Sequence, residues 1–242
     1  MVKGLYRSSG GMMQRMYEQD ILANNLANLN TTGYKKDGGF LKQLIDAELT
    51  LDIRNGKTNF IGDQSYSSTY FEEGKVVGTG NPLDVAITGD GFFEINTPDG
   101  IRYTRNGNFK LDVNGVLVDQ MGNPVNGQGG QIVIEGDVVQ ISPAGEVLVD
   151  GQTVDFLNVV SFNDPDLLVK EGNNLFDNFY NEPVNQATNF QTIQGSYESS
   201  NVDAVRSMVD MIEVHRSYDS NSRVLTATDE SLRKLVNDVS RY

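Results

Sequence analysis

The chain has 242 residues, 38% of them hydrophobic, which is enough for one large or two small domains with a real core. It has no Cys and no Trp and a single His, which excludes disulfides, thiolate chemistry and a three-His metal site. Its formal net charge is −14, and no run of about eighteen apolar residues is present to span a membrane.

The acidity is uneven. Residues 1–42 carry +3 and residues 198–242 carry −2, whereas 43–197 carry −15. Nucleic acid is a poor partner for such a surface, because a phosphate backbone needs clustered Lys and Arg. A soluble, self-repelling domain face is the plain reading, and an acidic cation-binding face is the alternative. The opening residues Met1 to Arg7 lack the apolar block of a secretory leader, so no cleaved leader is expected.

Residues 5–30 predict a helix interrupted at Gly10-Gly11. Leu5, Met12, Met16, Ala23 and Leu26 recur near a helical period, and Leu22 and Leu29 widen the stripe. Asn24, Asn25, Asn28 and Asn30 are poor helix formers. Two readings stay open for them: they fray the last turn before Thr31-Thr32-Gly33, or their amides bond to neighbouring helices.

Residues 43–75 are polar and predict an extended connection. Residues 76–162 predict β-structure. Apolar runs such as Asp84–Thr88, Phe92–Ile95, Ile101–Thr104, Phe109–Asp112, Val116–Val118, Ile132–Ile134, Val138–Ile141, Val147–Val149 and Val154–Phe162 are divided by turn signals. Asn114-Gly115 and Asp150-Gly151 supply the positive φ of tight hairpins. Strands without intervening helices argue for an antiparallel β-domain. Residues 163–197 predict long extended connections with a few paired strands.

Residues 198–240 predict one long helix, since no Gly or Pro follows Ser196. Met208, Met211, His215, Tyr218, Ser222, Leu225, Asp229, Leu232, Val236 and Val239 recur in alternating steps of three and four, the period of a coiled-coil seam. Val202, Val205, Val209 and Ile212 form a second stripe beside it. A helix of forty residues would run about 60 Å and the N-terminal one about 39 Å, so one cannot fully cover the other. Burying each large apolar side chain gains about 1.5–3 kcal/mol, and an exposed stripe gains little. The C-terminal helix is therefore expected to be marginal alone and firm when neighbours cover it.

The expected fold class is α+β, with long terminal helices forming a coiled coil and a central antiparallel β-domain. The expected division is 1–42 with 198–242 as the terminal helical domain, 43–75 as the connection, and 76–197 as the β-rich domain.

Motifs with chemical potential fall away one by one. Gly78-Thr79-Gly80 precedes a strand and lacks the third Gly of a dinucleotide fingerprint. Gly127-Gln128-Gly129-Gly130 has no following Lys-Ser/Thr and is no phosphate loop. Asp112-Val113-Asn114-Gly115 fits a hairpin turn better than a calcium loop. Asp84, Asp90 and Glu94 could in principle form an acid-pair hydrolase, but acids alternating with apolar residues on strands usually form the wet face. A Ser-His-Asp triad would need His215, which sits in the helical stripe. No catalytic, cofactor-binding or metal-binding residues are expected.

The run Ala23-Asn24-Asn25-Leu26-Ala27-Asn28-Leu29-Asn30-Thr31-Thr32-Gly33-Tyr34-Lys35 resembles the N-terminal signature of the flagellar basal-body rod and hook protein family. Asn81-Pro82-Leu83-Asp84-Val85-Ala86-Ile87-Thr88-Gly89-Asp90-Gly91-Phe92-Phe93 and Tyr103-Thr104-Arg105-Asn106-Gly107-Asn108-Phe109 resemble its β-domain motifs, and the stretch from Glu198 through Leu232 resembles its C-terminal helix. The resemblance implies a non-enzymatic structural subunit of the basal-body rod that polymerises helically into a torque-transmitting shaft around the export channel. It implies terminal helices that order on assembly, export through the flagellar type III apparatus, and a place in the rod crossing the periplasm. The implied partners are further copies of the chain, other rod subunits, hook-side axial proteins, the surrounding ring proteins and the export apparatus, with no nucleic acid and no membrane insertion. The chain is short for a hook protein, and distal and β-domain-bearing proximal rod types both fit. The interface residues expected are Leu22, Asn25, Leu26, Asn28, Met208, Met211, Tyr218, Leu225, Leu232 and Val236. The alternative is a non-catalytic module that grips a surface or wall polymer while its helices dimerise, with Tyr66, Tyr70, Phe71 and Tyr103 as candidate contacts.

Overall fold

The structure, a computed structural model, describes residues 2–38 and 68–239, with the side chains of 2–9, 232 and 235–239 outside that description. Most of the expected 43–75 connection, and Tyr66 with it, therefore lies outside the described residues. The chain divides into two compact units.

The helical unit holds α1 (Val2–Ala27) and α2 (Ala204–Val239), which pack against each other. The helix α1 runs through Gly10-Gly11 without the expected break. A Gly inside a helix costs about 1 kcal/mol, and packing offsets it here: a Cβ on Gly11 would come within 3.4 Å of the Asn221 amide of α2. The helix α2 starts later than expected. Asp203 caps it, with its Oδ1 accepting the Arg206 N–H at 3.0 Å, while Glu198 is drawn into a strand instead.

The covered face of α2 includes Ser207, Met211, Val214, Tyr218, Asn221, Leu225 and Thr228, in steps of four and three. It keeps Met211, Tyr218 and Leu225 of the expected stripe but replaces Met208 and His215 by their smaller neighbours Ser207 and Val214. Small side chains let two helices approach, and larger ones then turn outward. The same unit holds one two-stranded pairing, Asp37–Gly38 with Ser68–Thr69.

The β unit comprises Asn28–Lys36 and Tyr70–Val202. Its largest sheet has six antiparallel strands: β1 (Phe92–Thr97), β2 (Gly100–Thr104), β3 (Val159–Phe162), β4 (Val169–Gly172), β5 (Leu175–Asp177) and β6 (Val184–Gln186). Their order across the sheet is β4-β5-β2-β1-β3-β6. Phe93 pairs with Thr104, Phe92 with Val160, and Phe162 with Val184. Successive strand residues face opposite sides. Phe93 and Val159 accordingly enter the larger core with Val85, Ile87, Phe109, Leu117 and Val147, while Phe92 and Val160 enter a second core with Tyr103, Leu168 and Phe176. The rest of the unit is smaller ribbons, including Val85–Gly89 paired with Phe190–Gln194 and Val76–Gly78 paired with Ser196–Glu198.

Three expectations change in detail. Ile132–Ile134 form no strand; Ile132 and Ile134 are buried from a segment held by the isolated bridge Val116–Val133. Val154–Phe162 divides at Leu157-Asn158, whose N–H groups bond to the Gly145 and Asn126 carbonyls and send the two halves into different sheets. Residues 163–197 carry five short strands, their alternation hidden by the Asn and Gln of the wet face.

Candidate assembly interface

The Asn-rich end of α1 works by local bonding. Asn25 is buried, and its side-chain amide bonds both backbone groups of Asp37: Nδ2 donates to the carbonyl at 2.7 Å and Oδ1 accepts the N–H at 2.8 Å. It acts as a strand partner for one residue, so this amide ties the last turn of α1 to Asp37. Farther on, within the β unit, Thr31 Oγ1 donates to Asn28 Oδ1 and closes the following turn.

Gly33 is fixed by two independent constraints. Its φ is +66°, and a Cβ there would lie 2.4 Å from the Asn106 nitrogen. Beside it, Thr32 Oγ1 and Asn106 Oδ1 are 2.8 Å apart, and Asn174 Nδ2 donates to the Thr32 carbonyl. The N-terminal signature and the Tyr103–Phe109 motif thus meet within the β unit.

Next to this contact lies a buried charge cluster. Lys35 Nζ donates to Glu198 Oε1 at 2.6 Å and to the Glu72 carbonyl at 2.8 Å. The same Glu198 oxygen accepts the Gly74 N–H. Arg105 Nη1 stands 3.7 Å from Glu198 Oε2, and Arg105 Nη2 donates to the Gly89 carbonyl. All three side chains are at most 5% exposed. Burial holds Lys35 and Arg105 below their ordinary pKa values, while Glu198 pulls each back upward. Asn201 completes the joint: its Oδ1 accepts the Lys36 N–H, and its Nδ2 donates to the Tyr70 and Glu72 carbonyls. Sequence reasoning missed this cluster. The available signal was that Lys35 ends one motif and Glu198 begins another.

The rejected chemical candidates find structural employment. Asp84 is buried and accepts from Thr79 Oγ1 and Asn81 Nδ2, whereas Glu94 accepts from Asn126 and Asp90 faces Asn189. Each of these three carboxylates has its own partner. His215 is exposed and faces Asp219 one turn away. Among the described aromatic residues of the wall-polymer alternative, Tyr103 is buried against Phe162, Phe71 packs on Phe92 and Phe176, and Tyr70 is half-exposed beneath Lys36.

The expected interface residues divide by position. Leu22 and Leu26 of α1 and Met211, Tyr218 and Leu225 of α2 are half-covered, and so is Asn28 in the β unit. Asn25 is buried on Asp37, and the side chains of Leu232 and Val236 lie outside the described residues. Met208 is exposed, together with Val205 (73%), Val209 and Ile212 on the same outer face of α2, and Met13 and Met16 are exposed on α1. Of the second stripe read from the sequence, Val202 is buried before α2 begins, and Val205, Val209 and Ile212 form an open apolar face.

Paired end helices in one unit and an antiparallel β unit between them in sequence define an α+β class of protein with helical ends and a β-rich middle. Three family descriptions match in chain order: "Flagella basal body rod protein" over residues 5–35, "Flagellar hook protein FlgE/F/G D1 domain" over 86–149, and "Flagellar basal body rod FlgEFG protein C-terminal" over 193–238. The chain is similar to the flagellar basal-body rod protein FlgG of Bacillus subtilis, with 35% identity covering 98% of this chain and 99% of that one. It is similar to FlgF of Caulobacter vibrioides, with 34% identity covering 98% and 97%. It is also similar to FlgG of Borreliella burgdorferi, with 33% identity covering 96% and 97%. The chain belongs to the flagellar basal-body rod protein family and is a structural rod subunit. Relatives named FlgG and FlgF match almost equally, so they do not divide distal from proximal position.

Proposed function

We propose that this subunit polymerises helically with copies of itself into the rod that transmits torque and encloses the export channel. The observation that carries the reading is the open face of Val205, Met208, Val209 and Ile212 on α2. Covering each of these side chains fully would gain about 1.5–3 kcal/mol, and water is a poor resting place for four of them on one helix.

In this reading the terminal segments, 1–42 and 198–242, form an inner coiled-coil layer. Leu22, Leu26, Met211, Tyr218, Leu225, Leu232 and Val236 serve that layer, and Met208 faces the next copy. Asn25 and Asn28 hold the turn at the end of α1. The segment 76–197 forms the outer wall, and 43–75 connects the layers. Contacts that do not close a ring produce an open helix. The partners are other rod subunits, hook-side axial proteins, surrounding ring proteins and the export apparatus. The location is the basal body, where the rod crosses the periplasm. No catalytic step is assigned.

The test is Met208→Asp combined with Ile212→Asp, with sedimentation across a concentration series. The expected result is a folded β unit with no sedimenting polymer. Polymer formation at the wild-type concentration would overturn the reading.

A further inference from the structure

The β unit carries a cleft of about 380 Å³ at the edge of its second core. Phe71, Phe92 and Phe162 form its apolar wall, with Arg105, Asn163 and Asn189 among its polar lining. The Phe71 and Phe162 rings are half-exposed. A cavity of about 150 Å³ holds one benzene, so this cleft has room for two rings.

Arg105 gives the cleft a charge preference. Its guanidinium carbon lies 5.1 Å from the Phe92 ring centroid. Its Nε and Nη1 are buried and have no hydrogen-bond partner among the described residues. With Lys35 and Glu198 it forms a buried set of two cations and one anion. Asp90 on the lining and Glu73, whose Oε1 accepts the Gly89 N–H, oppose this charge, but both are exposed and screened by water.

Elsewhere on the same unit a turn presents two aromatic rings to solvent. Phe179 is 68% exposed and Tyr180 52%, with the rings edge to face at 5.4 Å. The turn is rigid. Asn178 Nδ2 donates to the Glu182 carbonyl, Asn178 Oδ1 accepts the Glu182 N–H, and Asn181 adopts φ +54°. Glu182, half-exposed, closes the same turn and adds an acidic side chain to it.

We propose that the Phe179–Tyr180 turn of one copy inserts into the Phe71–Phe92–Phe162 cleft of the next, with Glu182 facing the positive end at Arg105. The match rests on volume, aromatic character and charge. A plug and a socket on different patches of one surface make a heterologous contact, which extends into an open helix. It also answers an electrostatic problem: outer segments carrying −15 each repel unless some acid meets a cation. This inference rests on the homopolymer reading and adds an outer contact to it.

The lack of Cys makes the test clean. Cells express Phe179→Cys and tagged Asn163→Cys copies together, and their basal bodies are isolated and oxidised. A disulfide joining one copy of each is the expected result. Isolated rods that contain both variants but lack the 163–179 bond overturn the inference and leave the homopolymer standing. Absence of the chain from rods overturns both. Capture of Phe179→Cys by a different protein assigns the turn elsewhere and also overturns it. Independently, Phe179→Ala with Tyr180→Ala is expected to keep the wild-type melting temperature while raising the assembly concentration at least about tenfold. An unchanged assembly concentration counts against the contact.

Discussion

Lys35 and Glu198 meet at 2.6 Å across 163 residues of sequence, each with only 1% of its side chain exposed. Breaking a buried pair by removing one partner costs about 3–5 kcal/mol, because the other charge is left uncompensated. Glu198→Gln strands two cations, Lys35 and Arg105. Its expected outcome is a loss in that range, read as a lower denaturation midpoint. Lys35→Met with Glu198→Leu should recover much of it, since replacing a whole buried pair by apolar groups is often neutral. A single variant as stable as wild type would show that the cluster contributes little.

Gly33→Ala faces both a positive φ of 66° and a Cβ 2.4 Å from the Asn106 nitrogen. Either constraint alone disfavours a side chain, and strain of this kind costs about 1–3 kcal/mol. The variant should lose at least about 2 kcal/mol in equilibrium unfolding. A loss within a few tenths would mean that the Thr32–Asn106 contact yields easily.

Leu225→Asp places a charge on the covered face of α2, and Leu232→Asp adds another farther along the same helix. Both variants should abolish polymer and swimming while the β unit keeps its circular dichroism and its cooperative melting. Swimming at wild-type speed by both would defeat the helix-mediated assembly.

The acid limb of stability has an assignable part. Hydrogen bonding from Arg102 holds the Glu171 carboxyl below the usual range, and the backbone N–H groups of Val116 and Asn114 do the same for Asp112. A depressed folded pKa means that the unfolded chain takes up protons first. The stabilisation is complete above the usual carboxylate range and fades as pH falls through the folded values. Burial raises Asp166, which acts with the opposite sign. Glu171→Gln should flatten the fall in melting temperature between about pH 5 and 3. An unaltered slope would remove Arg102–Glu171 from the account.

The helix pattern and the strand alternation were legible because a repeating apolar period survives any detail of packing. Met211, Tyr218 and Leu225 follow from it directly. The alternate positions do not: hydrophobicity favours Met208, but close approach to α1 favours Ser207. The buried cluster was invisible for a different reason. A lone Lys or Glu reads as solvated until its partner is known, and Lys35, Arg105 and Glu198 come from three distant segments. Ile132 and Ile134 show a third limit, since an alternating run identifies buried faces without requiring a full ladder.

The Gly33 N–H bonds the Glu198 carbonyl, and the Asn201 N–H bonds the Tyr34 carbonyl. Two stretches of chain far apart in sequence are thus fastened together within the β unit at a single button. Everything threaded between those stitches is a closed loop whose circumference does not alter the gap between its ends. Such a loop can be let out or taken in while its two fastened ends keep their spacing, because the cost of closing a loop grows only slowly with its length.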